Sequence, residues 1–307
     1  MGVWIDTDMG FDDIAAILVV AQSPFEIDGI SLVFGNTPME QVRRNAAGAA
    51  SAFGWTFPVY VGREFPVMGR LETAQAILGD TGIPTAGRSL PDCPPLQGHD
   101  AFPALCRWLE ANSAPRRILA LGPLTNIAAL VLARPDLAAC IDELVWMGGG
   151  VTSGNHTASA EFNAFADPEA VAIVLSHNVP LRMVDLDFCR QIQAAPEETG
   201  PVRAAGGQNA DLLADLLAGF IGIATERGRP TMALYDPAAA AVFVRPDLVT
   251  FRDGRIDMEL SGTLTRGRTV VEIRASHGPF NGQYAVTCDT DAVRAIVLGA
   301  LQTEAAR

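Results

Sequence analysis

The sequence predicts a single α/β domain on an open, mostly parallel, Rossmann-like sheet with helices packed on its faces. Two observations carry this reading. Short apolar runs that read as buried strands alternate with helical stretches, the pattern of consecutive βαβ units. The polar clusters, at Asp6 and Asp8, at Asn36, in the turns after Leu121 and Met147, and at Asp236, are expected where those strands end, and in a parallel sheet such ends share the edge at which ligands bind. No internal repeat or linker-like boundary interrupts residues 1–307, so one domain spans the chain.

The stretch Val3-Trp4-Ile5-Asp6-Thr7-Asp8-Met9-Gly10-Phe11-Asp12-Asp13 organises the rest. Val3 to Ile5 read as a strand, Gly10 as part of a turn, and Asp12-Asp13 as a helix start, where carboxylates suit the helix N-terminus. The apolar run Ile14 to Ala21 continues that helix. A turn and a cap need one or two acids, not four. At pH 7 Asp6, Asp8, Asp12 and Asp13 repel one another unless a cation or bound protons relieve them. Hard oxygen ligands at this density suit Ca2+ or Mg2+ rather than zinc.

Ile30 to Phe34 reads as the second strand, running into Gly35-Asn36-Thr37, with Glu40 to Phe53 as its crossover helix and Val59 to Gly62 as a third, short strand. From Pro66 to Gly98 the pattern dissolves into Gly, Pro and polar residues; an irregular segment of that length inside a domain predicts a flap over the site. Helix resumes over 102–112, strand over 117–121, helix over 124–133, and strand over 142–147, which closes on Gly148-Gly149-Gly150. Asp167-Pro168 opens a helix to Ser176, and 181–184 is a strand running into Asp185 and Asp187. Residues 208–227 are helical, and Arg229 to Asp236 leads into an Ala-rich helix after Pro237. Strand-like runs at 256–260, 269–274 and 284–287 precede a final helix from Asp291.

Apolar residues make up 49% of the 307 and charged residues 19%, enough for a sizeable core. A net charge of −13 argues against nucleic acid or an anionic membrane as partner; a neutral small molecule fits. All 22 basic residues are arginine, which excludes Schiff-base chemistry and a Walker A lysine. The five cysteines form no C-x-x-C, and read as buried small hydrophobes in a reducing compartment. The four histidines lack zinc-site spacing. No run reaches 18 apolar residues and the first strand begins at residue 3, so the chain is expected in the cytoplasm.

Three metal-using classes can own the opening stretch. An EF-hand needs its glycine one place later and a helix before the loop. A Mg2+ phosphohydrolase of the haloacid-dehalogenase type, with Asp6 or Asp8 as nucleophile, matches D-x-D but nothing after residue 13. The chain resembles nucleoside hydrolases of the inosine–uridine preferring type over essentially its whole length. Asp6, Asp8, Gly10, Asp12 and Asp13 meet the signature D-x-D-x-G-x-D-D. Leu121-Gly122-Pro123-Leu124-Thr125-Asn126, Met147-Gly148-Gly149-Gly150, Gly154-Asn155, Glu161-Phe162-Asn163, Asp167-Pro168-Glu169, Tyr235-Asp236-Pro237 and the segment from Thr265 to Val271 follow in order.

The resemblance implies Ca2+-dependent hydrolysis of the N-glycosidic bond of ribonucleosides by a homodimer or homotetramer. It implies Asp8, Asp13, Asp236 and the Leu121 carbonyl as metal ligands, with Asp8 also the general base. Asp12 and Asn163 would grip the ribose diol, Asn155 and Glu161 the 5′-hydroxyl, and Met147 would lie close to the sugar, with Asn36 also facing the site. Two places depart from the pattern: Leu78 and Tyr235 stand where inosine–uridine members carry histidines. Purine-preferring relatives place an aromatic residue before the last aspartate, so Tyr235 tilts the expectation toward purine nucleosides. A nucleoside-binding protein that has lost catalysis remains the non-enzymatic alternative.

Overall fold

The computed structural model describes residues 2–307. The chain begins β1 (Gly2–Thr7), α1 (Phe11–Ala21), β2 (Glu26–Leu32), α2 (Met39–Phe53), β3 (Val59–Val61), α3 (Gln75–Leu78) and α4 (Ala101–Ala111). It continues β4 (Arg117–Ala120), α5 (Thr125–Ala133), α6 (Pro135–Ala138), β5 (Glu143–Met147), α7 (Phe162–Ala166), α8 (Pro168–Ser176) and β6 (Leu181–Val184). After α9 (Leu186–Cys189), β7 (Gln193–Ala194), α10 (Thr199–Ala204), α11 (Ala210–Thr225), β8 (Met232–Ala233) and α12 (Tyr235–Val244), it closes with β9 (Val249–Met258), β10 (Thr269–Glu272), β11 (Gly282–Cys288) and α13 (Thr290–Ala305).

A nine-stranded sheet runs in the order β10-β9-β11-β6-β5-β4-β1-β2-β3. All pairings from β11 across to β3 are parallel, and β9 pairs antiparallel with both β11 and β10. The chain builds outward from β1 to β3, then returns to lay β4 on the other side of β1. That reversal between β1 and β4 is the switch point at which such sheets bind ligands.

Strand residues alternate between two apolar layers. Val3 and Ile5, Leu119, and Val145 and Met147 face the layer holding α1, α11, α12 and α13. Trp4, Ile118 and Ala120, and Leu144 and Trp146 face the layer of α4, α5 and α8. A strand buried on both faces reads as a continuous apolar run, which is why these were legible. Helix α12 is buried over Asp236–Phe243, and its alanines let α1 pack closely against it.

The third strand from the end is longer than expected and displaced, covering 249–258 rather than 256–260. Its first half alternates exposed and half-buried residues on an antiparallel margin, so it carries no apolar run. The cysteines are all free thiols, but only Cys106 and Cys189 are buried; Cys93, Cys140 and Cys288 are partly covered. No described helix is long and apolar enough to cross a membrane.

Candidate active site

Beyond β1 the backbone turns sharply enough to put Met9 in the left-handed region, at φ 53°. Thr7 pins this turn: its hydroxyl accepts from the Met9 N–H at 3.1 Å and donates to Asp13 Oδ1 at 2.5 Å. Asp13 Oδ2 accepts from the Gly10 N–H at 2.8 Å, closing the first turn of α1. Asp6 points away from the cavity. It is fully buried, accepting from Ser31 Oγ and from Asn126 Nδ2, with its Oδ2 unpartnered. Burial pushes its carboxyl up to about 7. A group sealed in this way cannot attack a substrate, which removes it as a phosphohydrolase nucleophile.

Asp8 is held from β2's side of the switch point. The Asn36 N–H donates to its Oδ2 at 2.6 Å, and Asn36 Nδ2 donates to its Oδ1 at 2.9 Å and to Asp13 Oδ2 at 3.3 Å. Gly35 makes this approach possible, since a Cβ there would lie 1.9 Å from Asp8 Oδ2. Asn36, expected at a site-facing position, thus commits its amide protons to two carboxylates.

Asp236 arrives differently from the expectation. It does not end a strand of the main sheet: β8 pairs only with β7 in a separate two-stranded ribbon, and Asp236 lies in the first turn of α12. Because α12 packs on α1, the first turns of both helices converge. Oxygens of Asp12, Asp13 and Asp236 lie within 4.8 Å of one another. Burial raises these three carboxyls and that of neighbouring Asp8, and repulsion adds to it in Asp8, Asp12 and Asp236. Asp8 and Asp236 are pushed well above the ordinary range, the charge of Asp13 adding to burial for Asp8 and that of Asp12 for Asp236. Asp12 is lifted to about 7 by burial and then by Asp13. Asp13 is raised less freely, because Thr7 and Gly10 donate to its charged form. Such a cluster must hold protons or a cation; converging hard oxygens fit a divalent metal ion.

The opposite wall comes from the ends of β4 and β5. Asn163 Nδ2 donates to the Leu121 carbonyl at 2.8 Å and to the Met147 carbonyl at 3.0 Å. Glu161 caps α7, its carboxylate taking the N–H groups of Asn163, Ala164 and Gly149 at 2.8–2.9 Å. Burial nonetheless raises it to about 7. Asn155 Oδ1 accepts from the Phe162 N–H at 2.9 Å. These walls enclose a cavity of about 980 Å3 lined by Asp8, Asp12, Asn36, Leu121, Met147, Asn155, Glu161, Asn163, Tyr235 and Asp236. Of the expected site residues only Asp13 lies behind the surface. The segment expected as a flap contributes Glu72, Thr73 and Ala74, then Ala76, Ile77 and Leu78 of the short helix α3, and Gly82 and Pro84.

Residues 3–295 match the family model of the inosine-uridine preferring nucleoside hydrolases. The chain belongs to this family. It is 30% identical over 294 residues to the pyrimidine-specific ribonucleoside hydrolase RihB of Escherichia coli (strain SE11), covering 94% of this chain and 92% of that one. Its fold matches a purine-preferring ribonucleoside hydrolase from Gardnerella vaginalis at a TM-score of 0.91 and 29% identity, covering 100% and 99% of the two chains. It matches an inosine-guanosine nucleoside hydrolase at 0.86 and 26%, covering 99% and 98%. The protein is therefore a ribonucleoside hydrolase, cleaving the N-glycosidic bond, and the phosphohydrolase and pure binding alternatives fall away.

In this nucleoside hydrolase the cavity also holds residues that sequence reasoning passed over. His156 lines it, packed against Phe165 with ring centroids 4.5 Å apart and 3.6 Å from Glu72. Burial lowers its pKa, and Glu72 partly restores it. Arg190, Arg227 and Arg229 line the cavity as well. None belongs to a spacing pattern; the one available signal was that His156 directly follows Asn155.

Proposed function

We propose that this enzyme is a Ca2+-dependent hydrolase with a slight preference for purine nucleosides. Tyr235 carries the base preference: it lines the cavity immediately beside Asp236, where a ring can stack on a purine. The likeness to purine-preferring structures supports this, and the identity to a pyrimidine-specific relative is what the experiment must weigh.

Asp8, Asp13, Asp236 and the Leu121 carbonyl would hold the Ca2+, whose six to eight oxygen ligands leave room for a ribose diol and water. When bound, the ion supplies positive charge that grips the diol and acidifies water. Asp12 and Asn163 bind the 2′- and 3′-hydroxyls, and Asn155 and Glu161 the 5′-hydroxyl. Met147 lies against the sugar, and Asn36 orients Asp8. Asp8 takes the proton of the water that attacks C1′. The carboxylates around the ring stabilise the oxocarbenium-like sugar, and direct attack inverts the anomeric carbon. The reading extends to a homodimer or homotetramer working in the cytoplasm in nucleoside salvage.

Reducing sugar released from a panel of inosine, guanosine, adenosine, uridine and cytidine tests it. Higher kcat/KM for the purines is expected; uridine equal to or above inosine overturns the purine preference.

A further inference from the structure

The cavity is electrically two-sided in a chain of net charge −13. Asp8, Asp12, Asp236, Glu161 and Glu72 contribute carboxyls, while Arg190, Arg227 and Arg229 contribute guanidiniums. The arginines are not equivalent. Arg190 is neutralised by Asp187 at 3.3 Å and tied to Ser153 and the Gly154 carbonyl. Arg227 donates to the Ile223 carbonyl at 2.6 Å, and neither it nor Arg229 makes an ion pair among the described residues. Both sit on the segment between α11 and α12 that runs into Tyr235, and both line the cavity with it. The unpaired cationic charge of the cavity is therefore carried by the segment that ends in Tyr235.

Glycosidic cleavage separates charge in the same sense. As the C1′–N bond breaks, its electron pair moves onto the base while positive charge develops on the ribose. Water adds its hydroxide to C1′ and gives its proton to Asp8; the base anion regains a proton afterwards from solvent or Asp8. A base with a ring carbonyl spreads the incoming charge onto oxygen, an acceptor for guanidinium N–H groups. Where an amino group takes that oxygen's place, as at C6 of adenine and C4 of cytosine, the substituent donates rather than accepts, and the base leaves best when protonated first, which nearby cations oppose.

We infer that Arg227 and Arg229 hold the departing base as it gains negative charge, and so select oxo-substituted over amino-substituted bases. This rests on the base lying against Tyr235, as proposed above. Both arginines are exposed, so R227Q/R229Q leaves the core intact.

The test compares kcat and KM for inosine and adenosine, and for uridine and cytidine, in the wild type and R227Q/R229Q. The inosine-to-adenosine ratio of kcat/KM is expected to fall about tenfold in the variant, mostly in kcat, with R227K/R229K recovering part of it. Equal losses on both members of each pair, an unchanged ratio, or a change confined to KM overturns the inference. The uridine–cytidine pair reads the same contrast, so the inference is decided even if the purine preference fails.

Discussion

Asp13 and Asp236 lie far apart in the chain, yet each occupies the first turn of a helix, and those two helices pack together so that the carboxyls meet. Each helix N-terminus favours one negative charge, but the pair with Asp8 and Asp12 exceeds what two dipoles offset. The folded protein without metal therefore retains protons that the unfolded chain releases.

The sign follows by linkage. A carboxyl at 3.8 when unfolded and about 7 when folded, as for Asp12, contributes stability below 3.8 that is lost as pH rises through 7. Chelator-treated protein should lose Tm between pH 5 and 8 relative to Asp236→Asn, which relieves the cluster. Added Ca2+ should reverse that loss, by about 2.7 kcal/mol at a hundred times Kd. A metal-free Tm that climbs with pH relative to the variant sinks the argument, as does elemental analysis finding only zinc in active protein.

Asp8→Asn keeps the size of the side chain and one oxygen toward the metal, but removes the base. Turnover should fall at least ~100-fold, the usual scale for a general base, while equilibrium binding of nucleoside persists. Unchanged turnover would show that another group takes the proton.

What the sequence made legible follows from locality. Strands β1, β4, β5 and β6 are mostly apolar and buried, and the residues after them reach one sheet edge whatever the helix details. Asp8, Asn36, Leu121 and Met147 were found for that reason. Asp236 was expected at a strand end like the others, but its position depends on how α12 packs on α1 rather than on the strand before it. The antiparallel half of β9 escaped because an exposed margin carries no apolar run. His156, Arg227 and Arg229 escaped because residues at a cavity's mouth arrive from loops, with no periodicity to announce them.

Gly35→Ala probes the positioning of Asp8 without touching its chemistry. The added Cβ would meet Asp8 Oδ2 at 1.9 Å, so Asp8 must swing and give up the Asn36 N–H at 2.6 Å. The loss in kcat should be roughly tenfold, since geometry suffers while the group remains. If the effect acts through Asp8, Gly35→Ala adds nothing on top of Asp8→Asn, as expected for residues working as a unit. Additive losses would place the damage elsewhere.

Activation of the leaving base is where Tyr235 and His156 compete. A 4-nitrophenyl riboside departs as a stable phenolate and needs no stacking to help it leave, whereas inosine does. If Tyr235 stacks on the base, Tyr235→Ala should slow purine nucleosides roughly tenfold and leave the nitrophenyl substrate nearly unchanged. Uridine, whose base gains little from stacking, should be poor throughout. His156 has the opposite signature: as a proton donor its loss would slow inosine and uridine together and spare the nitrophenyl riboside. Its contact with Glu72 and its packing on Phe165 suit a role in holding the flap segment instead, so His156→Ala should change all three substrates by the same small factor. Equal losses on all three in Tyr235→Ala would mean that the ring only supports Asp236. A nitrophenyl-sparing loss in His156→Ala would transfer the acid role to the imidazole, and vigorous wild-type uridine cleavage would then follow from it.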